Sequence, residues 1–204
     1  MKVDHRRELP SYAARRGRFD VLTVPPLAYV AIDGHGDPNT SQAWADALAT
    51  LYPVAYGLKF LSKGDLGRDY TVMPLEALWT ADDPASFTTA RDKARWSWTA
   101  MIMTPDWLTG EHLDAVAARV RRKGGAPVLD GLRLVTVDEG LVVQTLHVGP
   151  YDAEGPVLAT MHGTVIPERG LRMTGLHHEV YLGDARRTAP ERLRTILRQP
   201  VARA

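Results

Sequence analysis

"YVAIDGHGDPNTSQAWADAL", residues 29–48, opens as a strand, turns on Gly34 and Gly36, and passes through Asp37 into a helix. "VQTLHVGPYDAEGPVLATMH", residues 143–162, follows the same order with similar spacing: strand, Gly149-centred turn, Asp152, helix. Few residues are identical between the two, but the succession of hydrophobic periods is shared. The segment after each helix carries one glutamate, Glu76 in the first half and Glu179 in the second. Two strand–helix–strand units of this kind are expected to join about a pseudo-twofold axis. The groove between them is then the natural place for a ligand.

Working outward, "DYTVMPLEALWT" (69–80) reads as one or two short strands around Pro74, "ADDPASFTTARD" (81–92) as a loop, and "ARWSWTAMIMTP" (94–105) as a strand. "SQAWADALATLYPVAYGLKFLS" (41–62) reads as a helix capped by Asn39 or Thr40, which Pro53 must kink or divide. "TGEHLDAVAARVRRKGG" (109–125) is an amphipathic helix ending at Gly124–Gly125. "LRLVTVDEGLVVQTLHVGPYD" (132–152) is strand material around a Glu139–Gly140 turn, and a helix follows through residue 170. Thr188, Pro190 and Glu191 fit the start of a last helix.

The chain has 204 residues, 45% hydrophobic and 24% charged, as in an ordinary globular protein. No apolar run approaches the ~18–20 residues that span a bilayer, and the charged opening "MKVDHRRELPSYAARRGRFD" has no signal-peptide core. With no cysteine there is no disulfide, thiolate nucleophile or Cys-ligated metal, and a cytoplasmic setting is expected. A net charge of +1 gives no footprint for nucleic acid. The basic run at 119–123 suits the C-terminus of a helix.

The chemistry gathers in "GLHHEVYLGD", residues 175–184. On a strand, alternate side chains share a face, so His177, Glu179 and Tyr181 lie opposite Leu176, His178, Val180 and Leu182. The apolar set belongs to the core, which turns Glu179 and Tyr181 out of the other sheet face. Trp96 and Trp98 share one face of their own strand. Core packing explains such a pair when it stands alone. Beside an outward glutamate, and with Tyr56, Tyr70, Trp79 and Tyr151 available, it also suits the wall of a stacking pocket. Metal binding is disfavoured because His177 and His178 point to opposite faces and no metalloprotease helix is present. There is no nucleophile elbow, and "GHGDPNT" lacks the spacing of a phosphate loop.

Taken together, "AIDGHGDPNT", "YPVAYGLKF", "DYTVMPLEALW", "RWSWTAMIMTP", "LHVGPYDAEGPVLATMH" and "GLHHEVYLGDARRTAPERLRTILRQPV" resemble the GyrI-like small-molecule-binding superfamily, and within it the cyclopropanoid cyclopropyl hydrolases. The resemblance runs from about Pro26 to Val201. It implies an α+β fold of duplicated strand–helix–strand–strand (SHS2-type) modules, about 26–125 and 126–201, around a central cleft after a leader of 1–25. It implies Glu179 and Tyr181 as catalytic residues. Trp96 and Trp98 are the expected walls, with Trp79, Tyr56, Tyr70 and Tyr151 as further ligand contacts. The implied partner is a flat aromatic genotoxin or drug, with no cofactor, metal, membrane or direct nucleic acid involved. The implied reaction opens a cyclopropane by adding water, for detoxification or self-resistance. The alternative is a cleft that binds and sequesters a drug without reacting it.

Overall fold

A computed structural model describes residues 2–81 and 92–204. The expected loop at 81–92 falls almost wholly outside them. In chain order the elements are α1 (His5–Glu8), β1 (Asp20–Val24), β2 (Leu27–His35), α2 (Gln42–Gly64), β3 (Leu75–Ala81), β4 (Trp96–Thr104) and α3 (Gly110–Lys123). They continue with β5 (Arg133–Val137), β6 (Gly140–Val148), α4 (Gly155–Thr160), α5 (Ile166–Glu168), β7 (Leu171–Met173), β8 (His177–Tyr181) and β9 (Arg194–Arg203). Mixed α+β architecture is therefore observed, built on one antiparallel sheet with the order β1-β6-β9-β8-β3-β4-β2-β5, and β7 beside β9.

Two couples of consecutive strands, β1 with β2 and β5 with β6, do not pair. Only Pro25 and Pro26 separate β1 from β2, and only Asp138 and Glu139 separate β5 from β6. Yet each pair stands six strand spacings apart in the sheet. A flat sheet would need ~29 Å at ~4.8 Å per spacing, whereas a two-residue connection reaches only ~10 Å. The sheet must therefore curl until its two ends meet. The rings of Tyr29 and His178, on strands three apart, lie 6.5 Å from each other inside that curl.

The inner face carries an ion cluster. His178 stands 2.9 Å from Glu76 and 3.0 Å from Glu139, and all three are buried. Arg198 donates to Glu139 at 2.7 Å, to Gln144 at 3.2 Å and to the Ser11 carbonyl at 2.7 Å. Tyr12 donates to Glu76. Two carboxylates, one guanidinium and one imidazolium balance in charge, the condition under which buried ions are tolerated. Burial opposes ionisation of Glu139, but His178 and Arg198 outweigh it and hold the carboxyl at about 2. Burial likewise opposes the charge on His178, and Glu139 reverses that, so its pKa is raised. Through Ser11 and Tyr12 the cluster fixes the N-terminal segment across the curl.

Helices occupy the outer face. α2 runs unbroken for 23 residues, so Pro53 does not divide it. Because proline has no N–H, the Ala49 carbonyl cannot receive its usual helical bond there. Ser41 is the N-cap residue, in place of Asn39 or Thr40. α3 lies against α2 at Gly57, where an added Cβ would stand 2.5 Å from Val116. A π turn, Met161–Val165, joins α4 to α5. The expected last helix is not formed: Pro190–Arg192 makes one 3-10 turn, and Arg194–Arg203 is a strand. Its capping signals are local, whereas pairing with β6, β7 and β8 buries seven successive residues from Thr195 to Val201.

Candidate functional site

The β3–β8 register builds the floor of the site. Leu75 faces Tyr181, Ala77 faces Glu179 and Trp79 faces His177, all on the outer side of the sheet. Farther across, Ala77 meets Ala100 and Trp79 meets Trp98. One row therefore reads Glu179, Ala77, Ala100, of which Glu179 reaches the cleft while both alanines are buried in the core. The next reads His177, Trp79, Trp98, of which His177 and Trp79 reach the cleft. Val180 and His178 point inward and are fully buried, as strand parity requires.

Above this floor lies a cleft of about 1040 Å³ between α2, the sheet and the start of α4. That is the size of a large ligand pocket. Glu179, Tyr181, Trp96, Trp79, Tyr56 and Tyr151 all line it, whereas Trp98 and Tyr70 do not. Trp98 is buried because its ring fills the space over Gly34, where an added Cβ would stand 2.1 Å away. Trp44 then covers it edge-on at 4.9 Å. Tyr70 packs instead on Trp107, its ring 6.2 Å away, and its backbone bridges to Val3. Both are core residues.

The residues that sequence reasoning missed are mostly on α2. Trp44, Leu48 and Tyr52 precede Tyr56 at four-residue intervals and line the cleft with it. That spacing marks one helix face and was visible in the sequence. Trp44 stacks on Trp79 at 5.5 Å and 26°, and Trp96 meets Trp79 at 5.5 Å. Glu154, Leu158, His177 and Lys93 also line the cleft, as do Asp184–Arg187. Lys93 pairs with Asp152, tying the approach to β4 to the turn after β6.

A directed hydrogen-bond chain crosses the floor. The Trp79 Nε1–H donates to the Tyr181 hydroxyl at 3.2 Å, and that hydroxyl donates to Glu179 Oε2 at 2.7 Å. The other carboxylate oxygen, Oε1, lies 3.4 Å from His177 Nε2, and the Glu179 side chain is only 13% exposed. Burial, then the charge of Glu179, pushes the Tyr181 phenol well above its usual pKa. Burial, then Glu154, takes Tyr151 to about 12. Both phenols are therefore neutral donors near pH 7, and the Tyr181 proton is committed to Glu179. Among the described residues no cluster of three metal-ligating side chains occurs, and no helix is long and apolar enough to cross a membrane.

A cleft of this size lined by aromatic rings is suited to a small molecule. The chain belongs to the GyrI-like family: residues 18–202 match the GyrI-like small molecule binding domain. It is similar to an uncharacterized conserved protein from Listeria innocua, with 34% identity, 98% of this chain and 100% of that chain covered, and a TM-score of 0.89. Two further structures from Listeria innocua, each named a hydrolase, are similar as well. One has 32% identity, 98% and 100% coverage and a TM-score of 0.85. The other has 31% identity, 99% and 100% coverage and a TM-score of 0.87. No curated protein matches the sequence.

Proposed function

We propose that this protein is a cyclopropanoid cyclopropyl hydrolase, which detoxifies flat DNA-alkylating genotoxins by adding water across a strained ring. The single observation carrying this reading is Glu179: a carboxylate oriented by Tyr181 and facing a cleft walled by Trp44, Trp79 and Trp96. The names of the two Listeria hydrolases support it.

In a cyclopropane fused to a cyclohexadienone, ring opening restores an aromatic phenol. Trp44, Trp79 and Trp96 hold the flat ring system and exclude water. Glu179 takes one proton from a water molecule whose oxygen attacks the cyclopropane CH₂ carbon. The C–C bond breaks, its electron pair passes through the dienone to the carbonyl oxygen, and a phenolate forms. The carbon keeps the OH, and the phenolate gains a proton from solvent. The product is substrate plus one water. Tyr181 serves by holding the carboxylate, a role that a positioned base requires. The reacting carbon and the carbonyl oxygen lie on opposite sides of the six-membered ring. A donor to that oxygen must therefore come from the far rim of the cleft.

The same reading takes the strand order as two modules, residues 26–125 and 126–201, related by a pseudo-twofold axis between β3 and β8. Outward from that pair the strands run β9, β6, β1 on one side and β4, β2, β5 on the other. The cleft then lies over the seam, in a cytoplasmic protein.

Sequestration is the second reading, favoured by the carboxylates of Glu154, Glu179 and Asp184 among aromatic rings, a setting suited to a flat cation. Incubation with excess cyclopropanoid in H₂¹⁸O separates the two. A hydrolase accumulates many equivalents of ring-opened product carrying one ¹⁸O each. A sequestering protein stops at one equivalent of bound, unopened ligand, and that result would exclude the hydrolase.

A further inference from the structure

We infer that His177 and His162 form a proton exit from Glu179. This rests on the hydrolase reading, because a base that takes a proton from water must lose it before the next turnover. With a flat ligand over the floor, the neighbours of the carboxylate decide where that proton goes.

On one side Glu179 Oε2 meets the Tyr181 hydroxyl, which donates and keeps its own proton. On the other, Oε1 faces His177 Nε2 at 3.4 Å. This separation exceeds a good hydrogen bond and is closed by a small side-chain movement or one bridging water. His162 follows, its ring 6.1 Å from that of His177 and nearly perpendicular at 82°. It sits on the π turn between α4 and α5, a wide helical turn found frequently at functional sites.

The two adjacent histidines of β8 make the contrast plain. His178 has Nδ1 hydrogen-bonded to Glu139 at 3.0 Å, with Nε2 2.9 Å from the Glu76 carboxylate. His177 has neither nitrogen in a hydrogen bond, and His162 Nε2 is likewise buried without a partner. Nothing pins the tautomer of His177, and a relay needs that freedom: one nitrogen accepts while the other releases. The proton on Glu179 passes to His177 Nε2, an Nδ1 proton leaves toward His162, and exchange with solvent resets the ring. Burial, then proximity to His177, lowers His162 to about 4, so it passes a proton on without retaining it. No oxidant or second reactant is involved.

Single-turnover and steady-state rates on a cyclopropanoid test the relay. In His177→Ala the first turnover, with protein in excess, is expected to fall much less than the steady-state rate, its smaller loss reflecting the place of His177 in the cleft lining. Steady-state turnover is expected to fall by about 100-fold, the lower end for a proton-transfer group. Added imidazole should restore much of it, and His162→Phe should show a smaller steady-state loss. His177→Gln preserves bulk and guards against a folding artefact: it should show the same split between the two rates. Equal losses in both rates, or no rescue by imidazole, would make His177 a wall residue and overturn the relay while leaving the hydrolase standing. Wild-type protein with no turnover at all would sink the hydrolase and the relay together.

Discussion

Replacing Tyr181 by phenylalanine removes one oxygen that serves two partners. The Glu179 carboxylate loses its 2.7 Å donor, and the Trp79 Nε1–H loses its acceptor. A hydrogen bond to a charged group is worth about 1.5–3 kcal/mol. At about 1.4 kcal/mol per decade, turnover should fall roughly 10–100-fold if the bond holds Glu179 in its working orientation. The lost bond to Trp79 costs about 1 kcal/mol of fold stability, read as a small drop in the urea midpoint. The ring remains, so affinity for a flat aromatic ligand should stay within about threefold. Turnover by product chromatography, affinity by tryptophan fluorescence and stability by urea titration are measured on the same variant. Unchanged turnover would refute the claim that the phenol positions the base. An affinity loss as large as the turnover loss would make Tyr181 part of the binding wall instead.

Three further outcomes are expected. Trp98→Ala should destabilise the protein by about 3–5 kcal/mol, as for a large buried aromatic, whereas Trp44→Ala should chiefly weaken ligand binding; urea and fluorescence titrations separate them, and the reverse pattern would misplace the wall. Gly34→Ala should fail to fold or lose several kcal/mol, since its Cβ would enter the Trp98 ring at 2.1 Å; wild-type stability would refute that packing. Stability should also peak between the ordinary values of 4.5 for Glu139 and 6.5 for His178. The depressed Glu139 contributes fully above 4.5 and loses its contribution as pH falls toward 2. The raised His178 contributes fully below 6.5 and loses its contribution as pH rises through its folded value. Urea midpoints measured from below pH 4.5 to above pH 6.5 check the signs, and Glu139→Gln should flatten the acid limb.

Local patterns carried well where only local forces act. Alternation alone put Glu179 and Tyr181 on one face of their strand and Val180 on the other, and the β3–β8 pairing has them so. Amphipathic periodicity found α2 and α3 to within a few residues. What failed depends on distant partners. The leucines and isoleucine of "ERLRTILRQ" fit a helix as well as a strand, and only pairing with β6 and β8 decides for the strand. Trp98 has the parity of Trp96, but Gly34 across the sheet makes room for its ring and takes it out of the cleft. Glu76 and Glu179 hold similar places in sequence yet face opposite sides, because Glu76 pairs with Val180 in the register. Nothing in the chain announces that β1 and β5 each join the far end of the sheet. That exchange follows from curling, a property of the whole sheet.

The central claim is that Glu179 acts on water, and Glu179→Gln tests it most directly. The amide keeps the shape and can still accept from Tyr181, but it is no base. Multiple-turnover hydrolysis of a cyclopropane-bearing alkylator and its binding affinity should be measured on wild type and variant side by side. Turnover is expected to fall by about 100-fold or more, with affinity for a neutral ligand essentially retained. Equal turnover in the two proteins would contradict the account.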